Sequence, residues 1–303
     1  MPERTYEFVQ LDVFTQTRLA GNPLAVFTDA RGLSDSEMQA IAREMNLSET
    51  TFILPRDSAT EAREGKRVRI ITVAEELPFA GHPTLGTALH LAASGSGSAA
   101  ITLDLKAGKI PVVFTPASEH AGRGRADGKV FGEMRQRDPE FGVPLPGEEV
   151  ARVLGVAAEE MPWPVQSVST GLPFAIVGFR SQETLANLKV PQAQAEELLK
   201  TSGAKFFYFV CPGDREGGRL EVRARMFFYG MEDPATGSAA GCAASWMVRH
   251  GIANSDEPVV LRQGVEMGRP SEMYVRATRE GDGVTNVRVG GYAVEVLRGT
   301  MKL

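Results

Sequence analysis

Only two cysteines, Cys211 and Cys242, occur among the 303 residues. Neither stands in a CxxC pair or in a Cys/His cluster with zinc spacing, so a disulfide framework is excluded and both read as plain thiols. Histidine is sparse too: His82, His90, His120 and His250 are scattered, and no bound metal is expected. Long apolar runs are missing, with no stretch of about 18 apolar residues that would span a bilayer. The opening residues, Met1-Pro2-Glu3-Arg4-Thr5-Tyr6-Glu7, carry no basic region leading into an apolar one. A charge excess is missing too. The 38 acidic and 33 basic side chains give a net charge of -5 without long single-sign blocks, which disfavours nucleic acid and membrane surfaces as partners. The expectation is a cytoplasmic protein.

What is present is an ordinary globular composition, 43% hydrophobic and 23% charged, enough to bury a core without metals or staples. The length favours two lobes of roughly 150 residues each. Comparison of the chain with itself supports this: Gly21-Asn22-Pro23-Leu24-Ala25-Val26-Phe27 resembles Gly171-Leu172-Pro173-Phe174-Ala175-Ile176-Val177. Each copy precedes a helical stretch and a short apolar strand, Thr50-Thr51-Phe52-Ile53-Leu54 in one half and Phe206-Phe207-Tyr208-Phe209-Val210 in the other. A further strand follows in both halves, Val68–Thr72 and Val222–Phe228, then a turn and a helix of small residues, expected from Pro83 to Ala93 and from Ala235 to His250. Short strand–helix patterns also look alike by chance; the order of elements argues for duplication more than identity does. The Gly/Ser-rich segment 93–98 and the Gly-rich segment 121–128 have loop composition, and the crossover is placed near residue 125.

Three groups of residues have chemical potential. Ser34 with Glu37 forms a capping-box pattern and Asn46 a left-handed stop, so Glu49 lies just after a helix and begins an apolar strand. It reads either as a solvated surface residue or as a partly desolvated carboxylate suited to general acid/base work. His82, in Phe79-Ala80-Gly81-His82-Pro83-Thr84-Leu85-Gly86, is either a turn or capping residue or an imidazole beside a helix start that holds an anion. Asp233, in Glu232-Asp233-Pro234-Ala235-Thr236-Gly237-Ser238, is either a plain N-cap or a group orienting a substrate held by the helix N–H groups and the hydroxyls of Thr236 and Ser238. If the halves are duplicates, the two helix starts face each other across a cleft, an arrangement suited to a racemase or isomerase.

These residues lie in stretches that resemble the PhzF-like family over nearly the whole chain. The first half carries Leu11-Asp12-Val13-Phe14, the Gly21 to Phe27 segment, Asn46-Leu47-Ser48-Glu49-Thr50-Thr51-Phe52 and Glu76 to Ala88. The second carries Gly171-Leu172-Pro173, Asp233 to Ala239 and Gln263-Gly264-Val265-Glu266-Met267-Gly268-Arg269-Pro270-Ser271. The resemblance implies an α+β fold of diaminopimelate-epimerase type, with two pseudo-symmetric lobes, each a barrel-like sheet around a central helix. The lobes are expected at residues 1–124, completed by a C-terminal strand over 292–303, and at 125–291. It further implies a cofactor-free isomerase, a homodimer, acting on a small acidic metabolite, with the shuttling carboxylate at Glu49. His82 and Asp233 become catalytic partners, and Asn22, Ser48, Gly81, Thr236, Gly237 and Ser238 substrate contacts. Related racemases use a pair of cysteines at the starts of the central helices. Gly81 and Ser238 stand in those neighbourhoods here, and Cys242 lies about one helical turn deeper, which favours one-base transfer.

Two rivals remain. A serine hydrolase built on Ser238, His82 and Asp233 is poorly supported, because Thr236 and Ala240 occupy the glycine positions of a G-x-S-x-G elbow. A non-catalytic small-molecule binding protein on the same fold is the other.

Overall fold

The computed structural model describes residues 3–95, 98–116, 130–228 and 230–303, arranged as two compact units. One contains residues 1–134 and 290–303, the other residues 135–289. The crossover expected near residue 125 lies outside the described residues; the division itself falls between Met134 and Arg135.

The first unit runs β1 (Thr5–Val13), β2 (Asn22–Phe27), α1 (Asp35–Met45), β3 (Thr50–Ile53), α2 (Ser58–Glu64), β4 (Lys66–Ile71), β5 (Glu76–Leu77), α3 (Gly81–Ser94), β6 (Ala100–Leu105), β7 (Gly108–Pro116) and β8 (Val130–Arg135). Local chemistry sets α1. Ser34 accepts from the Glu37 N–H while the Glu37 carboxylate accepts from the Ser34 N–H, and Asn46 closes the helix at φ 51°. β1 and β2 are antiparallel, β2 and β3 parallel, β3 and β4 antiparallel, β4 and β6 parallel, and β6, β7 and β8 antiparallel. The central element is α3, with every residue from Gly81 to Leu89 buried. It packs against β1, β2, β3 and β6. Close approach explains its small residues: a Cβ on Gly86 would lie 2.6 Å from Val13 and 2.7 Å from Leu24.

The second unit contains β9 (Glu140–Pro144), α4 (Gly147–Leu154), β10 (Gln166–Ser169), β11 (Pro173–Gly178), α5 (Gln182–Ala186), α6 (Gln192–Lys200), β12 (Phe206–Glu216), β13 (Arg219–Phe228), β14 (Met231–Glu232), α7 (Gly237–Arg249), β15 (Val259–Gln263), β16 (Ser271–Glu280) and β17 (Gly283–Gly291). Its pairings repeat those of the first unit. β10 and β11 are antiparallel, β11 and β12 parallel, β12 and β13 antiparallel, β13 and β15 parallel, and β15 and β16 antiparallel. The strand β11 is apolar without alternation, Phe174-Ala175-Ile176-Val177, because both of its faces are covered. The small-residue helix α7 is buried almost throughout and packs against β10, β11, β12 and β16. A last strand, β18 (Ala293–Lys302), returns to the first unit and pairs antiparallel with β1, from Thr5 opposite Lys302 to Val13 opposite Ala293.

Both central helices begin elsewhere than their sequence signals indicate. α3 starts at Gly81, two residues before Pro83, because a proline in the first turn has no intrahelical donor to lose. α7 starts at Gly237 with Thr236 as N-cap, two residues after Ala235. No helix among the described residues is long and apolar enough to cross a membrane.

Candidate active site

In the first unit, the end of α1 and the beginning of β3 deliver Glu49, and the first turn of α3 delivers His82. Glu49 is not a solvated surface residue: its side chain is 14% exposed and Oε2 is buried. That oxygen lies 3.6 Å from His82 Nε2, just outside hydrogen-bond range. A contact between Thr51 Oγ1 and Thr87 Oγ1 at 2.9 Å ties β3 to α3 and so fixes the spacing of the two functional groups. The His82 imidazole is neither exposed nor a cap, since Ala80 is the N-cap and lends no side chain. Burial pushes it down to about 3, only partly offset by a hydrogen bond with the Pro23 backbone, so at neutral pH the ring is uncharged. Glu49 therefore faces a neutral polar group rather than a cation.

Asn22, the first residue of β2, is completely buried, with its amide nitrogen 3.4 Å from His82 Nδ1. Its amide therefore acts on the His82 ring. Ser48 is half-buried beside Glu49, and Gly81 is the buried first residue of α3. The N–H groups of Gly81 and His82 belong to the helix's first turn, which has no intrahelical acceptors to offer them.

In the second unit, Asp233 is not the N-cap of α7; Thr236 is, and its hydroxyl donates to Asp233 Oδ2 at 2.5 Å. A buried side chain from the end of β15, Gln263, organises this loop. Its Nε2 donates to the Asp233 carbonyl at 2.7 Å and to Thr236 Oγ1 at 3.0 Å, while its Oε1 accepts from the Tyr208 hydroxyl at 2.9 Å and the Thr236 N–H at 3.2 Å. Gly237 is the buried first residue of α7, and its carbonyl accepts from Gln136 Nε2 at 2.9 Å. Ser238 follows, half-buried. The residue before Asp233, Glu232, is committed elsewhere, paired with both Nε and Nη2 of Arg225.

Gln263 and Tyr208 were missed as site residues. Gln263 stood at the head of a motif, but its partners lie 27 to 55 positions away in the chain, and no local pattern announces them. Cys242 is completely buried in the second turn of α7, and burial raises its thiol to about 11. It stays protonated at neutral pH, unlike the thiolate a two-cysteine racemase requires. Among the described residues, no group of three or more His, Cys, Asp or Glu side chains converges on a metal-sized site.

Residues 11–299 match the family described as phenazine biosynthesis-like protein, PhzC-PhzF. The trans-2,3-dihydro-3-hydroxyanthranilate isomerase of Pseudomonas fluorescens is 36% identical over 302 residues, covering 98% of this chain and 100% of that one. Among solved structures, a predicted epimerase from Pseudomonas aeruginosa superposes with a TM-score of 0.79 at 36% identity, covering 98% and 99% of the two chains. A probable proline racemase from Agrobacterium radiobacter has a TM-score of 0.60 at 12% identity, covering 97% of this chain and 92% of that one, and shares the fold alone. Two α+β lobes of racemase and epimerase type, a sequence match along almost their entire length, and relatives named as isomerases lead to one assignment: the chain belongs to the phenazine biosynthesis-like, PhzF family of isomerases.

Proposed function

We propose that this chain is a cofactor-independent, cytoplasmic isomerase that moves a proton on a small carboxylate-bearing metabolite, with Glu49 as the general acid/base. The observation that carries the reading is the shielded Glu49 carboxylate 3.6 Å from a neutral, buried His82. An imidazolium at that distance would hold the carboxylate in its ionised form and weaken it as a base; an uncharged ring leaves its basicity available. In the reaction the proton leaves one carbon for the Glu49 carboxylate, and the C–H electron pair becomes a new double bond. The displaced double-bond pair then takes a proton at a second carbon from the Glu49 carboxylic acid, whose O–H exchanges with solvent between the two steps. Nothing is oxidised or reduced.

The other groups hold and orient. The first-turn N–H groups of α3 suit a substrate carboxylate, and Ser48 and Gly81 flank it. For the second unit, the reading keeps the substrate contacts that the family resemblance implies: Asp233 and the start of α7, with Thr236, Gly237 and Ser238.

The substrate proposed is trans-2,3-dihydro-3-hydroxyanthranilate or a close carboxylate analogue, on the strength of the relatives that carry that name. Incubating the purified protein with this compound and following its ultraviolet spectrum tests the reading. Enzyme-dependent conversion supports it. A chain that binds the compound without converting it is the non-catalytic binding protein instead.

A further inference from the structure

The hydrogen-bond chain around Gln263 has a fixed direction. Tyr208 and Gln263 are both completely buried. An amide oxygen only accepts, so the Tyr208 hydroxyl and the Thr236 N–H both donate to Oε1. An amide nitrogen only donates, so Nε2 gives its two protons to the Asp233 carbonyl and to Thr236 Oγ1. Turning the amide over would set its NH2 against the Thr236 N–H and its oxygen against the Asp233 carbonyl, two mismatches in a buried space. With a lone pair of Thr236 Oγ1 taken by Gln263, its remaining proton goes to Asp233 Oδ2. Burial, and then the charge of Asp233, push the Tyr208 phenol well above its ordinary value, so the head of the chain remains a donor.

We propose that Gln263, braced by Tyr208, is a positioning residue: through Thr236 it holds the Asp233 carboxylate in one orientation and as an acceptor, so that Asp233 receives a donor group of the substrate, an amine or a hydroxyl. This rests on the reading of Asp233 as a substrate-holding group. Gln263 touches no substrate atom; it decides which way the Thr236 proton points. All four residues belong to the second unit; Asp233 and Thr236 share one motif, and no local sequence pattern links that motif to Tyr208 or Gln263.

Gln263→Glu keeps the shape but replaces the donor with an acceptor, so the Thr236 proton has a rival to Asp233. On trans-2,3-dihydro-3-hydroxyanthranilate its kcat/KM is expected to fall about 10- to 100-fold. Tyr208→Phe, which leaves the aromatic ring in the core, is expected to fall about 3- to 10-fold. The decisive reading is a double-mutant cycle with Thr236→Val. If the effect travels through the Thr236 hydroxyl, neither substitution lowers kcat/KM further once that hydroxyl is gone. Losses that multiply, or single variants within about twofold of the unmutated protein, overturn the proposal and leave the function of Glu49 untouched. Failure of the unmutated protein to convert the compound speaks against the substrate alone. Proton NMR then decides: a slowly exchanging Thr236 hydroxyl line with a cross-peak to Asp233 is expected in the unmutated protein and lost in Gln263→Glu. Persistence of that line in Gln263→Glu overturns the proposal.

Discussion

Glu49 Oε2 and His82 Nε2 stand 3.6 Å apart, a carboxylate and a neutral imidazole that are neighbours without being an ion pair. The chain brings them together from positions 33 residues apart by packing the start of β3 against the first turns of α3, with Thr51 and Thr87 hydrogen-bonded between them. A base that must take a proton from carbon is best kept away from fixed cations, and burial of His82 achieves this.

That burial has a consequence for stability. The His82 ring has a folded value of about 3 against an ordinary 6.5, so between those limits the unfolded chain binds a proton that the folded one refuses. Stability is therefore unaffected by this group above about pH 6.5 and falls as pH drops below it, by up to about 1.4 kcal/mol per pH unit. Urea titrations of the unmutated protein and His82→Gln from pH 7 to pH 4 check this. The variant is expected to show an acid limb shallower by about one proton; parallel limbs would show that the ring titrates in the folded state.

Gly264 follows Gln263 at φ 74°, and a Cβ there would lie 2.4 Å from the Arg269 carbonyl and 2.7 Å from the Pro234 carbonyl. Gly264→Ala combines left-handed strain with a backbone clash. It is expected to destabilise the protein by about 2 kcal/mol or more and to displace the Asp233 loop. Thermal denaturation together with kcat/KM measures both effects, and an unchanged melting temperature counts against this account of the loop.

Arg225 is buried, with Glu232 on one side of its guanidinium and the carbonyls of Leu185, Ala186 and Leu188 on the other, at the end of α5. Arg225→Met leaves Glu232 without its counter-charge and is expected to cost about 3–5 kcal/mol. Adding Glu232→Leu removes the stranded charge and is expected to restore much of that loss in chemical denaturation. A double variant no more stable than the single one would place the cost in the lost carbonyl contacts instead.

What was legible in the sequence was local or repeated. Ser34, Glu37 and Asn46 define α1 because caps act within one turn, and the paired Gly21 and Gly171 segments lead into strand pairings that follow the same order in both units. Local signals misled where tertiary bonding won. Pro83 marked the first helical position and became the third, and Asp233 looked like an N-cap but instead receives the hydroxyl of the true cap, Thr236. The supporting contacts were illegible. Asn22 stood out only through its motif, while its bond to His82 spans 60 positions and that of Tyr208 to Gln263 spans 55, distances that only the folded sheets close.

The central claim is that the Glu49 carboxylate transfers the proton, and exchange in deuterium oxide tests it most directly. The unmutated protein is expected to place solvent deuterium on a carbon of trans-2,3-dihydro-3-hydroxyanthranilate during conversion, read by NMR and mass spectrometry. Glu49→Gln, nearly identical in shape, should bind the compound yet exchange it about 10²- to 10⁴-fold more slowly. Exchange by Glu49→Gln at the unmutated rate would contradict the account, because the proton would then be carried by another group.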